Sequence, residues 1–517
     1  MLDEMAGQMS PWFSVLTDGT RSREQVEEPD YFKDLNLAAV VSAVTSGSEA
    51  YNLAPLFHAR LQDEAATAYR QDAFRDLNSP KILGAAQAFC DSMEAVGKIV
   101  AHSNKVSFAW PRQAWLLEAA VRYVSAVEAL ASSLARAEPT SKSFVGLASW
   151  LGDYTSSKGF VSLRTEASTV KKMIDSVRYS VRIKGGRVIV RRYEERPDYS
   201  AEVLATFAKF ARSDAHDYRV TFRREVDMNH VEAAIVDMLA KLFSDEFAAL
   251  SAFCKSHAEF VDTTAARLDR ELRFYLCYLS LVRRVSASGL KFCYPSVQAG
   301  SKAVHATDTF DLALAAQLVQ QSKPVVTNSF DLSGVERVIV VSGPNQGGKT
   351  TFARTFGQLH HLASLGCPVP GSSASLALCD NIYTHFEREE DLSNLTGKLE
   401  DDLIRARDLL LKATGSSVVV INEIFSSTTF EDARWLSRKV MEKLVRLDAL
   451  AVVVSFIDEL SELAPSTISM VSTVDPDDPA VRTFKVERQK ADGKAYAYAL
   501  AGRHRLRYSD LIGRLSK

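Results

Sequence analysis

Cysteine is scarce in this chain and is not arranged to bind a metal. The six cysteines are spread over 517 residues, with no CxxC pair and no histidine at metal-ligand spacing. This distribution argues against a disulfide scaffold or a zinc module and predicts reduced, mostly buried thiols. The residues are Cys90, Cys254, Cys277, Cys293, Cys367 and Cys379.

Long apolar runs and an excess of charge of one sign are also missing. No window approaches the roughly 20 apolar residues that a membrane span needs, and the acidic start MLDEMAGQMSPWF has no apolar core flanked by basic residues. We therefore expect a cytoplasmic protein. With 24% charged residues and a net charge of −2, the chain has no global field that would attract nucleic acid, so any basic binding surface must be local.

Helical periodicity dominates the chain after residues 1–33, which are polar and are expected to form an N-terminal arm or an ordered lead-in. Apolar residues recur at the three-to-four spacing of a buried stripe from about residue 35 to residue 136. A polar stretch that contains Pro139 interrupts this pattern, and helix resumes over residues 144–174.

The period changes to two over residues 177–193. Apolar residues alternate with polar or basic ones from Val177 to Lys184, Gly185-Gly186 follows, and residues 187–193 form a return strand. The pattern predicts a β-hairpin with one packed and one solvent-facing side, because paired glycines supply the positive φ of a tight turn.

Basic residues are concentrated on this hairpin. Residues 171–196 hold nine Lys/Arg against three Asp/Glu, so the hairpin can contact phosphates without reading bases; a merely solvated face is the alternative. The candidate nucleic-acid contacts are Arg178, Arg182, Lys184, Arg187, Arg191 and Arg192.

Residues 229–285 contain neither glycine nor proline, and they have apolar and charged residues at helical spacing. This predicts one very long helix or two consecutive ones, an extended lever that would span on the order of 85 Å as a straight rod. From about residue 326, short β-rich runs at 337–341, 418–421 and 451–455 alternate with helical stretches. That alternation predicts a sheet with crossover helices.

A phosphate-binding motif lies between the first of these strands and a helical stretch. GPNQGGKT, residues 343–350, satisfies the GxxxxGK[ST] pattern in the context that the pattern requires. Lys349 is predicted to reach the β- and γ-phosphates of ATP and Thr350 to ligate Mg²⁺, while backbone N–H groups surround the phosphates. The predicted nucleotide-binding residues are Gly343, Pro344, Asn345, Gln346, Gly347, Gly348, Lys349, Thr350 and Thr351.

A second chemical element follows the apolar strand at 418–421. Asn422 and Glu423 lie at its carboxyl end, where open α/β sheets place their ligands. ATPases of this class place an acid pair here, but the first position is an amide. Asn422 can offer its carbonyl oxygen to Mg²⁺ or to the waters of the ion, without a negative charge. Glu423 is the candidate catalytic base.

Three segments resemble the ATPase motifs of the MutS family of DNA-repair proteins, in the same order and with similar spacing. They are VSGPNQGGKTTFARTFGQLHHLASLGCPVP (341–370), the acidic run at 390–392, and INEIFSSTTFEDA (421–433). Weaker resemblance covers residues 34–77, the long helices and the hairpin. The resemblance implies an α + α/β fold, in which a helical core and lever domain with a small β-hairpin clamp is followed by an ABC-like P-loop α/β ATPase domain.

The implied domains are an arm at 1–33, a helical core at 34–174, a clamp-like insertion at 175–228, lever helices and connector at 229–325, and the ATPase domain at 326–517. Residues 1–33 are too few for the mismatch-recognition domain, with its Phe-x-Glu wedge, that some family members carry. Gly397 aligns with the serine of the family's signature loop, and Phe456 with a histidine that ends the next strand. Together with Asn422, these departures predict slow hydrolysis with retained nucleotide binding.

The resemblance implies a DNA-dependent ATPase of weak turnover that dimerises through its ATPase domains and acts as a nucleotide-gated clamp on DNA. Without the wedge domain, branched or distorted DNA is the expected substrate. Two alternatives remain from the sequence. One is a nucleotide-gated scaffold that barely hydrolyses ATP and recruits protein partners, and the other is an ATPase that acts on RNA or ribosomes.

Overall fold

Strands and helices alternate in the second half of the chain, whereas the first half is mainly helical. The computed structural model describes residues 13–19, 27–185, 187–194, 206, 228–387, 397–478 and 481–491. The strands are β1 Tyr179–Lys184, β2 Arg187–Arg192, β3 Phe292–Cys293, β4 Ser296–Ala299, β5 Val304–Thr309, β6 Asn328–Leu332, β7 Val338–Ser342, β8 Val369–Pro370, β9 Ser373–Leu378, β10 Ile382–Phe386, β11 Val418–Asn422, β12 Leu450–Val454, β13 Thr467–Val474 and β14 Arg482–Arg488.

The α-helices confirm the helical periodicity of residues 35–174. They are α1 Tyr31–Asp34, α2 Leu37–Thr45, α3 Ala54–His58, α4 Glu64–Asp76, α5 Pro80–Ser103, α6 Ala109–Ala137, α7 Lys142–Ser156, α8 Lys158–Asp175, α9 His230–Leu242, α10 Ser244–Ser256, α11 Thr263–Ser286, α12 Leu312–Gln320, α13 Lys349–Ser364, α14 Lys398–Lys412 and α15 Phe430–Leu447. None of the helices in the described ranges is long and apolar enough to cross a membrane.

A six-stranded sheet with the order β10-β11-β12-β7-β13-β14 carries the phosphate-binding motif. Neighbouring strands are parallel except β13 and β14, which are antiparallel. Buried parallel strands have near-continuous apolar sequences, and β7, β11 and β12 read VIVVS, VVVIN and LAVVV. The strands predicted at 337–341, 418–421 and 451–455 are therefore confirmed within one residue. Their side chains share a buried cluster with Met441 and Leu444 of α15.

A four-stranded sheet with the order β4-β9-β5-β6 and a pair formed by β3 and β8 complete the described β-structure outside the hairpin. The chain divides into two compact units. One comprises the described residues of Gly84–Glu138 and Ala148–Asp269, and therefore the hairpin. The other comprises those of Trp12–Leu83, Pro139–Leu147 and Arg270–Lys517, and therefore the P-loop.

The prediction of one or two helices over residues 229–285 is wrong, because the structure has three. Asn229 forms a capping box at the start of α9, which ends where Phe243 adopts φ −121° and ψ 52°. After α10, the Asp262 carboxylate accepts hydrogen bonds from the N–H groups of Thr264 and Ala265 at 2.7 and 3.1 Å. Asp262 thereby caps the start of a new helix, α11. These caps compete with a continuous helix without needing glycine or proline.

Part of the N-terminal lead-in is buried in the P-loop unit. Ser14, Val15, Leu16 and Thr17 are all buried. The Ser14 hydroxyl donates a hydrogen bond to the Glu271 carboxylate at 2.9 Å, and the Val15 carbonyl accepts one from the Tyr275 hydroxyl at 2.7 Å. Residues 14–17 of the lead-in therefore pack as core.

The β1–β2 hairpin is confirmed, but the expected packed side is not found on β1, which is exposed along its whole length. The packing occurs instead at the base of the hairpin, where Val177 and Val190 contact a cluster formed by Leu239, Phe243 and Phe247. A two-stranded ribbon has too little area to be covered throughout, so only its base is anchored.

Candidate functional site

The P-loop leaves the carboxyl end of β7 and enters α13 at Lys349. Gly343 and Gly348 have φ values of 114° and 94°, in the left-handed region that favours glycine. Gly348 directly precedes α13, whose first N–H groups have no partner inside the helix. The backbone N–H groups of the loop and the positive end of the α13 dipole thus lie where the sequence predicts phosphate binding. The loop therefore fits the phosphate chain of a nucleotide.

Ser472 of β13 explains why residue 347 is glycine. A Cβ at Gly347 would lie 2.2 Å from the Ser472 Oγ, and one at Gly343 would lie 2.7 Å from the Ser472 carbonyl oxygen. Arg482 adds a hydrogen bond from its Nε to the Asn345 carbonyl at 3.2 Å. Sequence patterns do not identify Ser472 and Arg482, since these residues reach the loop only through the pairing of β13 with β7 and of β14 with β13.

The ammonium of Lys349 is enclosed, with only 3% of the residue exposed. It donates hydrogen bonds to the carbonyl oxygens of Gly343 and Pro344 at 3.0 and 3.1 Å. The Glu423 Oε1 lies 3.8 Å from the Nζ. Burial lowers the pKa of Lys349 below its usual value, and the Glu423 carboxylate partly opposes this shift. To reach a phosphate, Nζ has to exchange its carbonyl partners for phosphate oxygens.

Thr350 and Asn422 meet at the predicted metal position. The Thr350 hydroxyl donates a hydrogen bond to the Asn422 Oδ1 at 2.8 Å, so a lone pair of the hydroxyl oxygen can still ligate a cation. In the described residues, no group of three or more His, Cys, Asp or Glu could hold a metal by itself. The Thr350 hydroxyl and the Asn422 carbonyl oxygen are oxygen ligands of the kind that Mg²⁺ takes, so these residues would hold the ion together with a bound nucleotide.

Glu423 lies at the same sheet edge, at the end of β11. Its φ of 53° places a non-glycine residue in the left-handed region, and its N–H donates to the Val454 carbonyl at 3.0 Å. Backbone strain of this kind persists only when the surroundings fix it. The carboxylate is held between the P-loop lysine and solvent, where it can accept a proton from a water molecule.

Phe456 and Gly397, the two altered positions predicted from the resemblance, lie in different surroundings. The Phe456 ring centroid is 4.5 Å from the Lys349 Nζ, so Phe456 belongs to the site. Gly397 is the N-cap of α14, with φ −67° and ψ 153°, and no contact with the P-loop is described for it. The acidic run at 390–392 lies outside the described residues.

The helix α13 is anchored to the N-terminal corner of the chain, residues 31–37. Gln358 Nε2 donates to the Leu35 carbonyl at 2.8 Å, and Arg354 Nε donates to the Asp34 carbonyl at 2.9 Å. A Cβ at Gly357 would lie 2.6 Å from Leu35 Cδ1. The P-loop helix is therefore positioned by residues about 320 positions earlier in the chain.

The basic residues of the hairpin are divided between its two faces. Paired residues share a face, so the pairs Ser180–Arg191, Arg182–Ile189 and Lys184–Arg187 line one side. Arg192 lies on the other side, where its Nη2 donates to the Leu242 carbonyl at 2.6 Å and its guanidinium lies 4.8 Å from the Phe243 ring centroid. Four of the predicted contacts, Arg182, Lys184, Arg187 and Arg191, thus share one face of the hairpin. Arg192 instead anchors the base of the hairpin. Arg178 is exposed and precedes β1.

Comparison with known proteins agrees with the geometry of the P-loop unit. Residues 339–499 match the family model of MutS domain V. The chain is 29% identical over 184 residues to the DNA mismatch repair protein MutS of Shouchella clausii, which covers 34% of this chain and 21% of that protein. It is 31% identical over 179 residues to the Endonuclease MutS2 of Thermus thermophilus, covering 34% of this chain and 24% of that protein.

The matched region contains the P-loop, Asn422, Glu423, Phe456 and Ser472. The chain spans about a fifth to a quarter of the length of these curated relatives. The domain match, the order of the motifs and the sheet that carries them agree: residues 339–499 are a MutS domain V, the part of the chain that is similar to these MutS and MutS2 proteins.

Proposed function

We propose that the protein is a MutS-like nucleotide-binding protein that holds ATP with Mg²⁺ at the P-loop and binds DNA through its basic hairpin. The observation that carries the proposal is the P-loop itself. Two left-handed glycines, the enclosed Lys349 and the Thr350–Asn422 pair occur together within a MutS domain V. When bound, Mg²⁺ would offset the negative charge of the phosphates. Lys349 would bind the β- and γ-phosphates, and Glu423 would accept the proton of the attacking water.

In this proposal the protein works in the cytoplasm as a homodimer joined through its ATPase domains, and nucleotide state opens or closes a clamp on DNA. The helical core (34–174), clamp (175–228), lever (229–325) and ATPase domain (326–517) are its working divisions. The basic face of the hairpin supplies phosphate contacts without base recognition, which suits branched or distorted duplexes better than a single mismatch.

A second candidate function is a nucleotide-gated scaffold that binds ATP and hydrolyses it little. Two observations favour it. Asn422 supplies an uncharged oxygen where a carboxylate would strengthen cation binding, and the apolar ring of Phe456, rather than a polar group, lies beside Lys349. The two candidate functions share the nucleotide site and differ in the rate of hydrolysis and in the DNA step.

One binding panel separates the candidates. Binding of the full chain to branched DNA, linear duplex and structured RNA would be measured across a salt series, with and without ATP. The clamp predicts salt-dependent binding to branched DNA that changes with ATP in the wild type, but not in Lys349→Ala. ATP binding without binding to any nucleic acid supports the scaffold, and preferential RNA binding supports the alternative that acts on RNA. Absence of ATP binding overturns both candidates.

A further inference from the structure

Phe456 is fixed in position by the strand that precedes it. The Ser455 N–H donates to the Val341 carbonyl of β7 at 3.1 Å, and the Ser455 hydroxyl accepts from the Ile457 N–H at 3.0 Å. The backbone on both sides of Phe456 is therefore hydrogen-bonded. The turn follows β12, which lies between β7 and β11 in the sheet, and it directs the Phe456 ring towards Lys349 of the P-loop.

The ring and the lysine have opposite exposures. Phe456 is 51% exposed, an unusual fraction for a phenylalanine, whereas Lys349 is 3% exposed. The centroid-to-Nζ distance of 4.5 Å lies within the range of a cation–π contact, which is worth more when the cation is removed from water. The exposed ring of Phe456 therefore covers the buried ammonium of Lys349.

The remaining partners of the ammonium come from the P-loop and from the end of β11. Nζ contacts two loop carbonyls, and Asn345 Oδ1 and Glu423 Oε1 lie at 3.4 and 3.8 Å. A phenyl ring cannot donate a hydrogen bond to a phosphate oxygen or orient a water molecule. The contact that the ring makes in this site is with the cation.

We propose that Phe456 is a positioning residue that holds the Lys349 ammonium in the nucleotide-free arrangement of the P-loop. The inference rests on the proposed nucleotide-binding function and deepens it. As Nζ moves to the β- and γ-phosphates it leaves the face of the ring, so the ring contact opposes nucleotide binding. Phe456 thereby raises the ATP concentration at which the site fills.

The test compares substitutions that keep or remove the ring. Phe456→Tyr keeps the π-face, whereas Phe456→Leu keeps an apolar side chain without it. We expect the Kd for ATP to fall by about twofold to fivefold in Phe456→Leu, the factor that corresponds to an ordinary cation–π contact, and to stay near the wild-type value in Phe456→Tyr. An unchanged or raised Kd in Phe456→Leu would overturn the proposal.

Stability of the nucleotide-free protein provides the second measurement. Phe456→Leu should raise the equilibrium constant for unfolding by about twofold to fivefold more in the wild-type background than in the Lys349→Met background, where residue 349 carries no charge. Equal losses in both backgrounds would show packing alone and refute the contact. A wild-type protein that shows this coupling but binds no ATP would disprove the proposed function while leaving the lysine–ring contact in place.

Discussion

Thr350 donates its hydroxyl hydrogen to the Asn422 Oδ1 across 2.8 Å, so the P-loop and the end of β11 are joined by a neutral pair. A carboxylate could accept the same hydrogen bond and would add a negative charge beside the cation position. The geometry of an ATPase site is thus kept here while part of its electrostatics is missing. Affinity for the phosphate chain and affinity for the metal should therefore respond to different substitutions.

Asn422→Asp restores the missing charge. We expect it to tighten Mg²⁺-dependent ATP binding by about tenfold, the lower end of what partners around a metal contribute, and to raise hydrolysis. Titration of Mg²⁺ at fixed ATP measures the first effect and phosphate release the second. Asn422→Ala, which removes the acceptor without adding charge, is the matched control and should not tighten binding.

Glu423→Gln tests the candidate base. Loss of a general base reduces turnover by about 100-fold or more, so residual hydrolysis should fall while ATP binding persists. Phosphate release and the Kd for ATP would be measured on the same preparation. A wild-type turnover of roughly 1 s⁻¹ or more that is indifferent to this substitution would contradict the assigned role.

Lys349→Ala tests nucleotide binding. The change removes the charge expected to meet the β- and γ-phosphates and leaves the loop backbone, so ATP affinity should fall at least tenfold, or about 1.4 kcal/mol. Equilibrium binding of a fluorescent ATP analogue would measure it. An affinity equal to that of the wild type would refute the P-loop assignment.

The sequence predicts what is local in this site and misses what pairing of distant strands adds. Gly343, Lys349 and Thr350 follow from one motif after one strand, and Asn422 follows from the end of a second apolar strand, β11. Ser472 and the Phe456 contact with Lys349 depend on the order of β12, β7 and β13, which no short-range pattern encodes. The sequence also does not predict the helix breaks on either side of α10, because caps formed by Phe243 and Asp262 leave no glycine or proline signal in the sequence.

Gly357→Ala tests how the N-terminal corner positions the P-loop helix. The added Cβ would lie 2.6 Å from Leu35 Cδ1, and overpacking of this kind costs about 1–3 kcal/mol. Leu35→Ala should relieve the clash, so the double variant loses less stability than the sum of the single variants. Chemical denaturation measures all three.

The control for this prediction is Gly97→Ala in α5. Nothing lies within 4 Å of a Cβ at Gly97, so the better helix propensity of alanine should stabilise the protein by up to about 1 kcal/mol. Additive losses for Leu35 and Gly357 would show that the two residues do not constrain each other.

Acid should destabilise the P-loop unit through two buried histidines. Burial lowers the pKa of His360 to about 4 and of His361 to about 3. His361 Nε2 bonds the Phe57 carbonyl at 3.0 Å and its Nδ1 bonds the Tyr31 hydroxyl at 3.1 Å, so the neutral ring must donate from Nε2 and accept at Nδ1. Protonation would remove that acceptor.

The direction of the change in stability with pH follows from the linkage between proton binding and folding. Both folded-state pKa values lie below the unfolded value of about 6.5, so stability is complete above that pH and falls as the unfolded chain takes up protons. By pH 5 each histidine should cost about 2 kcal/mol. Denaturation at pH 7 and pH 5 measures the loss of stability on acidification. This loss should be smaller in His360→Met than in the wild type. It should be unchanged in the control His305→Gln, because His305 is exposed. An equal loss in His360→Met would exclude His360 as a source.

The last prediction concerns the basic face of the hairpin, where Arg182, Lys184 and Arg187 are exposed near the turn. Phosphate contacts make log K fall with log salt by about 0.9 per contact on duplex DNA. Replacing the three residues by alanine should therefore weaken DNA binding about equally across sequences and flatten its salt dependence. ATP binding should be unchanged, because the hairpin and the P-loop belong to different units.

A matched triple variant of Lys98, Arg407 and Lys439 removes the same charge from exposed helix positions. If bulk charge alone attracted DNA, both triple variants would lose affinity and salt slope alike. The clamp instead requires the loss to be confined to the hairpin variant, with little change in stability since its side chains are exposed. Wild-type affinity and slope in the hairpin variant would show that the hairpin is not a clamp, and the nucleotide-gated scaffold would then be the better account of this protein.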